Sequence, residues 1–145
     1  MKKPSPYLTV AGAIPFVICA FLMTAGVAAI PVLGETQYVL SIYGLVIASF
    51  MAGAHWGNHL GLADDNTWAF KLPVFSNVIA LGLWLGFLTL STVGFIWLLI
   101  LGFVSLLVID YGLHQAHIIG HEYFKVRKYV TLIVVFALMV AVTNL

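Results

Sequence analysis

Polar residues interrupt an otherwise apolar chain at only four places, and the intervals between them are similar in length. Reading from breaker to breaker, apolar stretches run over residues 7–33, 38–60, 72–90, 95–114 and 129–144. The connections are residues 34–37, 61–71 and 91–94, followed by a longer polar stretch that ends near Lys128. About 20 apolar residues in a helix cross the hydrocarbon of a bilayer. The stretches are continuously apolar rather than alternating, which predicts helices and not barrel strands. The expected fold is all-α: a polytopic membrane protein, one domain over residues 1–145, built as a compact bundle of five transmembrane helices.

Two of the stretches need separate treatment. Lys2 and Lys3 ahead of the first could describe a signal peptide. Its apolar run is about 25 residues, longer than the ~7–15 of a signal core, so it is expected to stay as a span. Pro15 should kink this span and Pro31 should help to stop it. The last stretch, 129–144, is short for a crossing and implies local thinning or a deep seat.

Orientation follows from Lys and Arg. Lys2 and Lys3 precede the first span, Lys71 lies between the second and third, and Lys125, Arg127 and Lys128 lie between the fourth and fifth. In a five-span alternation all of them fall on one side, so the N-terminus is expected in the cytoplasm and the C-terminus opposite. The two outer loops have four residues each and carry no cation.

Composition narrows the class of protein. The chain is 63% apolar and 8% charged, with a mean hydropathy of +1.11, against about 45–50% apolar and about 25% charged in a soluble domain. A soluble domain, a disordered segment and a disulfide-stapled secreted fragment are excluded. The net charge is +1 with no block of like charge, so no nucleic-acid partner is expected. Cys19 is the only cysteine, which rules out an intramolecular disulfide and any paired-cysteine metal motif. Within its apolar run it reads as a buried, inert thiol.

The unusual residues gather at the expected cytoplasmic end. His55 and His59 lie near the end of the second span, Asp110 about one turn inside the fourth, and His114, His117 and His121 at and beyond its end. Asp110, His114, His117 and His121 fall within roughly 60° of one another if the helix continues out of the membrane. His55 shares a face with Gly44, Ala48 and Ala52, while Gly53, Gly57 and Gly61 form a second small row on the opposite side. The second span is therefore expected to be central, packed on both sides, with His55 inward. Ser76 and Asn77 on the third span, Tyr7 and Thr9 on the first, and Arg127 and Thr131 on the fifth reach a similar depth.

An ionisable residue at membrane depth marks a candidate site, because burying it unpaired is costly. His55, Trp56, Asn77, Asp110 and Arg127 form the candidate polar-layer site, with no catalytic role assigned to any of them. His55, His59, His114, His117 and His121 are the candidate ligands should the layer hold a transition metal or a haem. The plainer readings are that Asp110 pairs with Arg127 or Lys128 to fix helix packing, and that the histidines and Trp56 are interfacial residues. His-x-x-x-His is not specific, and no Glu accompanies it as in the zinc-protease motif. No deep Lys could carry a retinal Schiff base, and phosphate-cradling loops and nucleophile elbows are absent from the sequence.

Pro6-Tyr7, Ala11-Gly12-Ala13-Ile14-Pro15-Phe16, Tyr43-Gly44, the run Ser49-Phe50-Met51-Ala52-Gly53-Ala54-His55-Trp56-Gly57 and the Arg127…Thr131 pair together resemble a known pattern. It is that of a family of small bacterial inner-membrane proteins of unknown function, whose eukaryotic relatives include transmembrane protein 69 of mitochondria. The resemblance implies a multi-span helical membrane protein of the bacterial inner membrane and supplies no catalytic residues. It also implies that His55, Trp56 and Gly57 are more than idle anchors. The leading expectation is a non-catalytic accessory or assembly partner of a membrane complex, in contact with lipid and with a membrane-protein partner or further copies of itself. The alternatives are a metal- or haem-binding redox or metal-handling protein, and a proton or small-solute pathway through Asn77 and Asp110.

Overall fold

The computed structural model describes residues 4–145, which form six α-helices and one two-residue hairpin. Lys2 and Lys3 lie outside the described residues. The helices are α1 (Pro4–Ala11), α2 (Ile14–Thr24), α3 (Thr36–His59), α4 (Thr67–Thr89), α5 (Thr92–Gln115) and α6 (His121–Thr143), with β1 (Ala29–Ile30) and β2 (Gly34–Glu35) between α2 and α3. Five segments are long and apolar enough to cross a membrane: Pro6–Thr24, spanning α1 and α2, and then α3, α4, α5 and α6. The fold is a five-span helical bundle.

The first span differs from its expected form in two ways. Pro15 does not bend a continuous helix; it sits in the opening turn of α2, where its missing N–H is not needed. The break falls just before it, at Gly12 and Ala13. Tyr43 on α3 donates its hydroxyl to the Gly12 carbonyl at 2.9 Å, so the interruption is tied to the bundle. The span also ends at Thr24 rather than near residue 33. Gly26 and Gly34 adopt positive φ, and so does Val32, which turns the chain into an antiparallel hairpin pairing Ala29 with Glu35. Thr36 then fastens the hairpin to α3 by donating its hydroxyl to the Val27 carbonyl at 2.9 Å.

The fifth span is longer than expected. α6 starts at His121, so its 23 residues need no thinned membrane. The fourth does not continue as one amphipathic helix through His121. α5 stops at Gln115 in a Schellman motif: Ile118 N–H donates to Leu113 O at 2.9 Å and His117 N–H to His114 O at 3.1 Å. His117 occupies the left-handed position usually given to glycine, with φ 60°. Ile118 packs against the buried cluster of Leu72, Ile109 and Leu113, where such motifs place an apolar contact.

Neighbouring helices close a ring: α2 packs on α3, α3 on α4, α4 on α5, α5 on α6, and α6 back on α2, while α1 packs on α6. α3 and α5 also touch across the middle. Central position is thus shared between them, and α5 carries the longer set of buried residues. Gly44 permits the crossing, because a Cβ there would stand 2.6 Å from Leu99 on α5. Phe16, Leu40, Ile96, Leu99, Phe103 and Leu106 fill the interior. Phe16 meets Tyr43 and Phe103 edge-on at centroid distances of 5.0 and 5.6 Å, the geometry aromatic quadrupoles favour.

Candidate functional site

α3 presents two unlike faces. On the inner face Gly44, Ala48, Ala52 and His55 are buried. Small side chains over three turns bring the helix close to its neighbours, and His55 ends the row at the point where α5 and α6 converge. There its Nε2–H donates to Asp110 Oδ1 at 2.8 Å. Arg127 Nε donates to the other carboxylate oxygen at 3.0 Å. The three residues are 3%, 0% and 4% exposed. Three helices are thereby joined through one carboxylate, each oxygen of which accepts a bond.

The plain pairing of Asp110 with Arg127 is present, and His55 adds a third member. The guanidinium uses only Nε. Both of its Nη atoms are buried and have no hydrogen-bond partner among the described residues, as is true of His55 Nδ1 and Thr131 Oγ1. An unsatisfied buried donor costs about 1–3 kcal/mol, so these atoms call for explanation. His55, Arg127 and Thr131 line one cavity of about 150 Å³ walled by α1, α2, α3, α5 and α6. Tyr123 also lines it. Tyr123, Arg127 and Thr131 are spaced four residues apart, which places them on one side of α6. The signal for Tyr123 was this spacing from Arg127.

The other residues of the expected polar layer lie elsewhere. Asn77 is exposed on α4, its amide donating to the Pro73 carbonyl at 2.8 Å, and it takes no part in the Asp110 network. Ser76 is buried but bonds the same carbonyl, at 3.1 Å. Tyr7 is exposed, whereas Thr9 lines the cavity. Trp56 is 44% exposed and meets His59 edge-on at 4.8 Å; the His59 Nδ1–H donates to the Trp56 carbonyl.

The five histidines are not gathered. His114 lies against His121 at a centroid distance of 5.7 Å and stacks on Phe124 at 4.9 Å. His117 is exposed in the turn after α5. Among the described residues no group of three or more His, Cys, Asp or Glu side chains is placed to hold a metal ion. The break after α5 turns His117 out to an exposed position, and the His114–His121 pair gains no third ligand among the described residues. Cys19 is buried and free of any disulfide.

The outer face of α3 carries the second small row. A Cβ added at Gly53 or Gly57 would meet no described atom within 4 Å, and both residues are exposed. The packing expected on this second side is therefore not made at Gly53 and Gly57 by the described residues. By contrast, a Cβ at Gly86 would stand 2.1 Å from Leu98, and one at Gly112 would stand 2.6 Å from the Trp68 ring.

Comparison with known proteins adds one match. A family model described as "Protein of unknown function (DUF3429)" covers residues 1–143. The chain belongs to the DUF3429 family. No curated protein and no solved structure matches it. This DUF3429 protein carries two unusual features: the buried His55–Asp110–Arg127 cluster with its cavity, and the open glycine pair of α3.

Proposed function

We propose that this multi-pass membrane protein is a non-catalytic accessory subunit or assembly partner of a larger complex in the bacterial inner membrane. In this reading its N-terminus is cytoplasmic and its C-terminus lies on the opposite side, as the distribution of Lys and Arg implies. Kinship with mitochondrial transmembrane protein 69 belongs to the same proposal.

The observation that carries it is the pair Gly53 and Gly57, one turn apart on the outside of α3. A glycine inside a helix costs about 1 kcal/mol relative to alanine. Gly44, Gly86 and Gly112 offset that cost by letting a neighbour approach within the chain. Gly53 and Gly57 gain no such contact from the described residues, yet small-x-x-x-small rows are how membrane helices approach one another closely. The occupant that fits is a transmembrane helix of a partner protein, flanked by the exposed rings of Phe50 and Trp56.

Native pull-down of the tagged chain from membranes, beside a Gly53→Leu, Gly57→Leu double variant, tests this. The expected result is a stoichiometric membrane protein retained by the wild-type chain and lost from the variant, with helicity preserved and the unfolding midpoint not lowered. Equal retention by the variant would refute the assignment of the interface. A monodisperse chain that recruits no partner and turns over a substrate would overturn the function. A homo-oligomer lost in the variant would replace the foreign partner with a second copy.

A further inference from the structure

The cavity beside Arg127 has its own chemistry, and it meets the outer face of α3 only at its rim, where Phe50 borders both. Three of its polar contributors are 95% or more buried: Arg127 is 4% exposed, His55 3% and Thr131 2%; Thr9 and Tyr123, which also line it, are half-buried. Arg127, His55 and Thr131 hold side-chain nitrogen or oxygen atoms without a partner among the described residues. The remaining walls are mainly apolar, with Phe16, Phe50, Phe103 and Tyr123 presenting aromatic rings. Leu8 and Phe50, at the rim, are 69% and 75% exposed on the flank of a bundle that spans a bilayer, so the cavity opens sideways among helices rather than at a loop.

Size, charge and lining limit what fits. A volume of about 150 Å³ matches the cavity size known to accept a single six-membered aromatic ring. Arg127 is already paired with Asp110, so the cluster has no uncompensated guanidinium charge to draw in a full anion through an apolar mouth. Its Nη atoms remain donors, and the Thr131 hydroxyl can donate or accept. The complement is a neutral acceptor oxygen on a flat ring, carried on a tail that stays in the lipid. We propose that this cavity binds the head of a lipid-soluble monocyclic quinone, with a ring carbonyl accepting from Arg127 and the tail leaving past Leu8 and Phe50. Binding alone is inferred; no electron transfer is assigned.

The test uses the full chain in phosphatidylcholine nanodiscs titrated with decylbenzoquinone by calorimetry. Decylbenzene, with the same tail and no carbonyl, and methyl oleate, with an ester carbonyl and no ring, are run alongside. Saturable, one-to-one binding of decylbenzoquinone alone is expected. It should weaken at least tenfold in Ala54→Phe, which fills the cavity from an exposed rim position, and in Arg127→Lys, which keeps a cation beside Asp110 but removes the fork of donors. If Arg127→Lys does not fold, Ala54→Phe decides. Absence of saturable binding, or binding undiminished in Ala54→Phe, overturns the site. Equal binding of decylbenzene overturns the carbonyl recognition, and preference for methyl oleate overturns the ring and assigns the cavity to an acyl ester.

Discussion

Asp110 has no exposed surface and sits in a helix long enough to cross a membrane, so among the described residues its carboxylate takes from Arg127 and His55 the bonds that water would otherwise supply. Breaking a buried ion pair from one side leaves the surviving charge uncompensated, which costs about 3–5 kcal/mol. Asp110→Ala is expected to destabilise the protein by about that amount, read as a lowered midpoint of detergent-induced unfolding followed by circular dichroism. The combination Asp110→Leu with Arg127→Met should be less harmful than either change alone, because it removes both charges together. Additive losses would show that the two residues act separately. Asp110, Arg127 and His55 were legible in the sequence because ionisable groups in an apolar run must find partners. Tyr123 was not, since a tyrosine near a helix end reads equally well as an interfacial anchor. Nor could sequence place Asn77 outside the layer: its depth was readable, but its angle around α4 depends on how the bundle packs.

Among the helices, glycine separates internal packing from open surface. Gly112 faces the rigid indole of Trp68, where a Cβ would lie 2.6 and 2.7 Å from ring carbons. Gly112→Ala is expected to cost about 1–3 kcal/mol through overpacking. Gly53→Ala meets open space and should raise the stability of the isolated chain by up to about 1 kcal/mol. Unfolding curves of the two variants in the same detergent check the opposite signs; a loss at Gly53 would mean that its face is packed within the chain. The five spans were visible from hydropathy, while several of their ends were not. Pro15 marked a boundary, but a proline in a first turn and one in a kink look alike in sequence. His117 hid the end of α5 because a left-handed residue there is usually glycine. The hairpin was masked by its own apolar residues, Ala29, Ile30, Val32 and Leu33, which extend the hydropathy of the first span beyond the helix.

For the whole molecule, the proposed orientation places Lys71, Lys125, Arg127 and Lys128 toward the cytoplasmic end of the bundle. Reporter fusions at the N-terminus and after Leu145 are expected to report opposite sides, with the N-terminal reporter cytoplasmic. Replacing Lys125 and Lys128, which are exposed and outside the Asp110 cluster, should weaken that bias without unfolding the bundle. Reporters on the same side would exclude an odd number of crossings.

The one carboxylate shared by three helices also imposes an order on synthesis. His55 and Asp110 leave the ribosome before Arg127 does, so a growing chain carries its acid into the membrane ahead of the cation that will neutralise it. Until α6 arrives, α3 and α5 can hold only two-thirds of the junction, and the earlier helices remain a provisional assembly. α6, made after α3 and α5, is the helix that brings the neutralising cation to the junction.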